Sequence, residues 1–90
     1  MAYFALFYDY VENAVEKRAP HRPAHLELYS RWRGEGRLVM GGALGDPPHS
    51  ALIVFDVEGP DEVEEFAEAD PYVQNGVVTG RRVEPWKVVS

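Results

Sequence analysis

The chain has 90 residues, below the roughly 100–200 of a usual domain, so it is expected to form one domain, residues 1–90, with a modest core. Apolar residues make up 46 % and charged residues 27 %, a soluble globular composition that argues against disorder. The net charge of −6 repels phosphate backbones, and the lack of cysteine excludes disulfides, thiolate nucleophiles, Cys-ligated zinc and iron–sulfur clusters.

No apolar run approaches 18 residues, and the start of the chain lacks a basic, cleavable leader pattern. The expectation is a cytoplasmic protein with no membrane and no nucleic-acid partner. Ala2–Tyr10 alternates Phe4, Leu6 and Tyr8 with Tyr3, Ala5 and Phe7, so it reads as a central strand covered on both faces. Val11, Ala14, Val15 and Arg18 then fall at helical spacing. Pro23 suits the first turn of a second helical stretch, which should run to about Arg33 before Gly34 and Gly36 end it.

Arg37–Leu44 reads as a second strand, Asp46-Pro47-Pro48 as a turn, and Ser50–Val57 as a third strand that is again apolar on both faces. Pro60 opens another helix, in which Val63, Phe66, Ala67 and Asp70 form one inward stripe. Pro71–Asn75 is at most one further turn. Val77–Val89 is the last strand, and Pro85 places it at an edge or a bulge. The order βαββαβ is the α+β, ferredoxin-like split arrangement. Its helices cover one sheet face, yet two strands are apolar on both. A homodimer through the helix-free sheet face is therefore expected.

Polar groups on apolar stripes are the candidates for chemistry. His25, Leu28, Tyr29 and Trp32 share one helix face, with Arg22 one turn earlier. An imidazole there can be a general acid or base, or a hydrogen-bonded core histidine. Asp70, at the negative end of its helix, needs a donor, and His25 or Arg22 would serve. Alternatively Asp70-Pro71 is an N-cap followed by a first-turn proline, and both roles can hold together. Tyr72 and Trp86 are candidates to line a pocket. His21 and His25 have a metal-pair spacing interrupted by Pro23, with no acidic ligand in support, so no metal and no cofactor is expected. His49, in a turn, reads as solvated.

Four segments in register carry a resemblance: Arg22-Pro23-Ala24-His25-Leu26, Glu35–Gly42, Ala69-Asp70-Pro71-Tyr72-Val73, and Pro85-Trp86. Together they resemble the YciI-like (YCII-related domain) family over nearly the whole chain. The resemblance implies a dimeric α+β barrel with a cleft centred on a histidine and an aspartate. Those residues fall on His25 and Asp70, and the family's arginine falls on Arg22. One branch resembles enzymes that remove chloride from chlorinated hydroxyhydroquinones. The loop Gly45–His49 is shorter than in longer members.

Two readings of function follow. In the first, a cofactor-independent lyase or isomerase uses His25 and Asp70 for proton transfer on a small hydroxylated or enol-type substrate, with Arg22 and Tyr72 binding it. In the second, a non-catalytic module binds a small anionic metabolite through Arg22 and His25.

Overall fold

A computed structural model describes residues 2–90; Met1 lies outside them. Strand β1 (Ala2–Tyr10) leads into helix α1 (Ala14–Arg18), a 3-10 turn (Ala19–His21) and helix α2 (Arg22–Gly34). Strands β2 (Leu38–Leu44) and β3 (Ser50–Val57) follow, then helices α3 (Pro60–Ala69) and α4 (Pro71–Gln74) and strand β4 (Val78–Trp86). The strands form one antiparallel sheet in the order β2-β3-β1-β4. This is the ferredoxin-like α+β topology expected from the order of elements.

The two-faced apolar strands are the two central ones. β1 and β3 pair from Ala2↔Val57 to Asp9↔Ser50. Phe4, Leu6 and Tyr8 face the helices together with Ile53 and Phe55, and Leu28, Trp32, Val63 and Phe66 close over them. Trp32, Phe55 and Phe66 meet edge to face, with centroids 5.1–6.0 Å apart. Truncating any of the three to alanine would cost about 3–5 kcal/mol. The alternate residues point the other way. There the Arg82 guanidinium lies 4.0 Å over the Phe7 ring, while Tyr3, Met40 and Trp86 stay exposed.

Several boundaries differ from the sequence expectation, each for a local reason. The first helix begins only at Ala14, because Asn13 takes a left-handed φ of 59°. α2 begins at Arg22 and includes Gly34, and it is Gly36, at φ 79°, that reverses the chain. The Arg37 N–H donates to the Trp32 carbonyl and the Gly36 N–H to that of Arg33, which satisfies the helix end. The last strand stops at Trp86 rather than Val89. Its partner β1 begins at Ala2 and the pair Tyr3↔Trp86 ends the ladder. Pro85 does lie on an edge strand, where a missing N–H is tolerated. Among the described residues, no helix is long and apolar enough to cross a membrane.

Candidate functional site

Asp70 ends α3 and begins α4. Its backbone is extended (φ −75°, ψ 120°), and Pro71 after it starts the short helix. The inward stripe that began at Val63 carries the Asp70 side chain into the interior, where it is fully buried. Three donors meet it there. The Tyr72 N–H donates to Oδ1 at 3.0 Å, the Tyr8 hydroxyl to Oδ2 at 2.9 Å, and His25 Nδ1 lies 2.8 Å from Oδ1. A carboxylate only accepts, so the proton on that last contact belongs to Nδ1. The cap and the pairing with histidine are both present, and Arg22 is not among the partners of Asp70.

This arrangement decides the histidine tautomer. With Nδ1–H held by Asp70, the neutral form of the ring has its lone pair on Nε2, which makes no protein hydrogen bond among the described residues. The imidazole keeps 11 % exposure while the carboxylate has none, so the ring is the part of the pair that reaches solvent. The opposite support is aromatic. His25 stacks on Tyr72 with centroids 3.8 Å apart and planes at 3°, and Tyr10 meets Tyr72 edge-on at 6.3 Å.

A cleft of about 330 Å³ opens over His25, between α2 and the sheet. Arg22 and Tyr72 line it, and so do Tyr10, Arg18 and Tyr29, which the sequence reading did not assign to the site. Gly41 lines it on the sheet side and accepts a hydrogen bond from the Tyr29 hydroxyl at 3.0 Å. A Cβ at Gly41 would lie 3.1–3.2 Å from Ile53, so the close passage of β2 past β3 there favours glycine. The Tyr72 hydroxyl is buried and finds no partner among the described residues. A buried hydroxyl left unpaired costs about 1–3 kcal/mol.

Two phenols are displaced from their ordinary behaviour. Burial pushes the Tyr8 hydroxyl far up, and the charge and hydrogen bond of Asp70 add to it, so Tyr8 remains a proton donor. Burial also raises Tyr10, with Tyr72 adding to the shift and the charge of Arg18 opposing it.

Other candidates fall elsewhere. Trp86 is exposed on the helix-free face and lines no part of this cleft. His49 is exposed, with Nδ1 2.9 Å from the Ser50 hydroxyl. His21 is absent from the cleft lining, and among the described residues no three His, Cys, Asp or Glu side chains are grouped to hold a metal ion. Tyr8 escaped the sequence reading although it carried a signal. It is a hydroxyl on the inward alternation of a core strand and had to find a buried acceptor. Arg18 carried a similar one, a guanidinium on an otherwise apolar stripe.

Against known proteins, the family model of the YCII-related domain matches residues 1–87. The chain belongs to the YCII-related domain family. Among relatives, Protein YciI of Escherichia coli is 33 % identical over 86 residues, covering 86 % of this chain and 88 % of that protein. The fold is shared with 5-chloro-2-hydroxyhydroquinone dehydrochlorinase (TftG) from Burkholderia phenoliruptrix, solved in complex with 2,5-dihydroxybenzoquinone. That likeness has a TM-score of 0.79 at 22 % identity and covers 94 % of this chain and 93 % of that one. A dimeric ferredoxin-like protein from an uncultured marine organism matches with a TM-score of 0.51 at 17 % identity, covering 100 % and 96 %.

Proposed function

We propose that this YCII-domain protein is a cofactor-independent enzyme of the lyase or isomerase type, in which His25 and Asp70 transfer a proton on a small hydroxylated or enol-type substrate. The observation that carries this reading is the fully buried Asp70 carboxylate, fixed by Tyr8 and the Tyr72 N–H and closing on His25 Nδ1. It leaves Nε2 as the one basic nitrogen for the cleft. Nε2 takes a proton from a substrate hydroxyl or an activated C–H, the electron pair moves onto substrate oxygen, and Asp70 stabilises the imidazolium formed. Arg22 binds the developing oxyanion, and Tyr72 lines the substrate cleft behind the imidazole. Return of the proton at another carbon completes an isomerisation; loss of a leaving group with its electron pair completes an elimination. The like-folded dehydrochlorinase, with its hydroxyquinone complex, supports this class of substrate.

The functional unit in this reading is one YCII-like domain spanning residues 1–90, paired as a homodimer through the helix-free face that carries Tyr3, Phe7 and Trp86. The dimeric ferredoxin-like neighbour supports such pairing. The test of the chemistry is Asp70→Asn, assayed with 2,5-dihydroxybenzoquinone as ligand and hydroxyhydroquinones as substrates. An enzyme that depends on the tautomer loses turnover by about 10²–10⁴-fold while ligand affinity stays within about tenfold. A protein that binds such ligands and never turns any over, with His25→Ala losing affinity alone, is a small-molecule binding module instead.

A further inference from the structure

Of the seven arginines, Arg31 and Arg33 are exposed at the end of α2, where Arg33 donates to the Val39 carbonyl. Arg37, Arg81 and Arg82 each meet a glutamate. Arg18 and Arg22 line the cleft and, among the described residues, have no carboxylate partner, in a chain whose net charge is −6. Arg22 is exposed and well hydrated, but Arg18 is only partly accessible. A guanidinium that gives up part of its hydration without a counter-ion is held at a cost that an anion in the cleft would offset.

Tyr10 lines the same wall, half-buried, and burial keeps its phenol protonated as a donor. We propose that Arg18 and Tyr10 form a carboxylate subsite within the cleft, so that the ligand carries a carboxylate in addition to the hydroxyl or enol that meets His25. The proposal rests on the reading of His25 and Asp70 as the proton-transfer centre. One edge of the flat guanidinium fork presents two parallel N–H donors and the phenol one more, which suits the two oxygens of a planar carboxylate. The aromatic walls formed by Tyr10, Tyr29 and Tyr72 and the volume of about 330 Å³ favour a single ring or a chain of similar size.

The test uses two probes that differ only in the carboxylate, 2,5-dihydroxybenzoate and hydroquinone, titrated against the full chain by NMR. The wild type is expected to bind 2,5-dihydroxybenzoate at least about tenfold more tightly than hydroquinone. Arg18→Gln should abolish that advantage and leave hydroquinone affinity within about twofold, since only the carboxylate contact is lost. Arg18→Lys should restore part of it, as a point charge without the fork. Equal binding of the two probes by the wild type overturns the subsite and leaves the His25 site standing. An advantage that survives Arg18→Gln, or that disappears in Arg22→Gln instead, also overturns the assignment to Arg18. Failure of both probes to bind overturns the subsite and the proposed substrate class together.

Discussion

The His25 imidazole lies flat against the Tyr72 ring, 3.8 Å away and only 3° from parallel. Stacking on one side and the Asp70 carboxylate at Nδ1 leave the ring little freedom about its side-chain torsions. Pre-set orientation of this kind is what a proton-transfer group needs, because each ångström of misplacement is expensive in rate. The same stack ties the histidine of α2 to the helix that Asp70 initiates, so the cap and the imidazole are held as one block.

Replacing Asp70 should separate its two roles. Asp70→Ala orphans the Tyr8 hydroxyl, His25 Nδ1 and the Tyr72 N–H together, and is expected to destabilise the fold by about 3–5 kcal/mol. Asp70→Ser keeps an acceptor for the Tyr72 N–H and should recover about 1 kcal/mol of that loss. It should not recover activity, since nothing then holds Nδ1–H. Urea unfolding measured beside turnover checks both statements, and a Ser variant with wild-type turnover would contradict them.

The alkaline limb of stability should be dominated by buried phenols. The folded-state pKa of Tyr8 is raised above its ordinary value of 10.0, so the folded chain holds this proton more firmly than the unfolded chain. Its stabilising contribution is complete below pH 10 and is lost as the pH rises beyond it; Tyr10 acts in the same direction. Tyr8→Phe should cost about 1–3 kcal/mol at neutral pH through the lost bond to Asp70. Above pH 10 the same variant should show a fall in stability shallower by up to about 1.4 kcal/mol per pH unit. Denaturant titrations between pH 8 and 11 measure both, and identical alkaline slopes would refute the argument.

Phe4 and Phe7 should answer differently to the same substitution. Phe4 belongs to the core beneath the helices, whereas Phe7 lies on the helix-free face under Arg82. Phe4→Asp should unfold the protein; Phe7→Asp should leave it folded and convert the proposed homodimer into a 10.2 kDa monomer. Sedimentation equilibrium at micromolar concentration distinguishes the two, and a folded wild-type monomer would remove the dimer from the account.

Chelation is expected to leave melting temperature and turnover unchanged, because among the described residues no three His, Cys, Asp or Glu side chains are grouped to hold a metal ion. Elemental analysis that finds a stoichiometric metal, lost in His25→Ala, would overturn this.

The fold was legible because its signals are local and periodic. Alternation in Tyr3–Tyr8 and Ala51–Phe55 marks the central strands, and the stripe from Val63 to Asp70 marks a helix facing inward. The pairing of His25 with Asp70 was only half legible. Sequence spacing puts each on an inward face, but the depth at which α2 passes α4 is set by packing, and no periodicity records it. Tyr8 and Arg18 were missed for a related reason. A hydroxyl or guanidinium on an apolar stripe reads as a core aromatic or a solvated end until its partner, or its lack of one, is known. Trp86 lines a shallow pocket on the helix-free face rather than the His25 cleft, because alternation along β4 says which residues share a face, not which face the helices take.

Asp70 works as an interlock between folding and chemistry. The residues that aim the imidazole come from positions 8, 25, 70 and 72, and they converge only after the sheet, α2 and the junction of α3 with α4 have all assembled. A partly folded chain therefore holds no reactive histidine, since its ring is free to take either tautomer and any direction. By the same linkage, a ligand that engages Nε2 draws its binding energy through the helix junction, and should slow the opening of α4 more than that of β4, which lines no part of the cleft. Local amide exchange at Val73 and Gln74, which do not line the cleft, would thus report its occupancy.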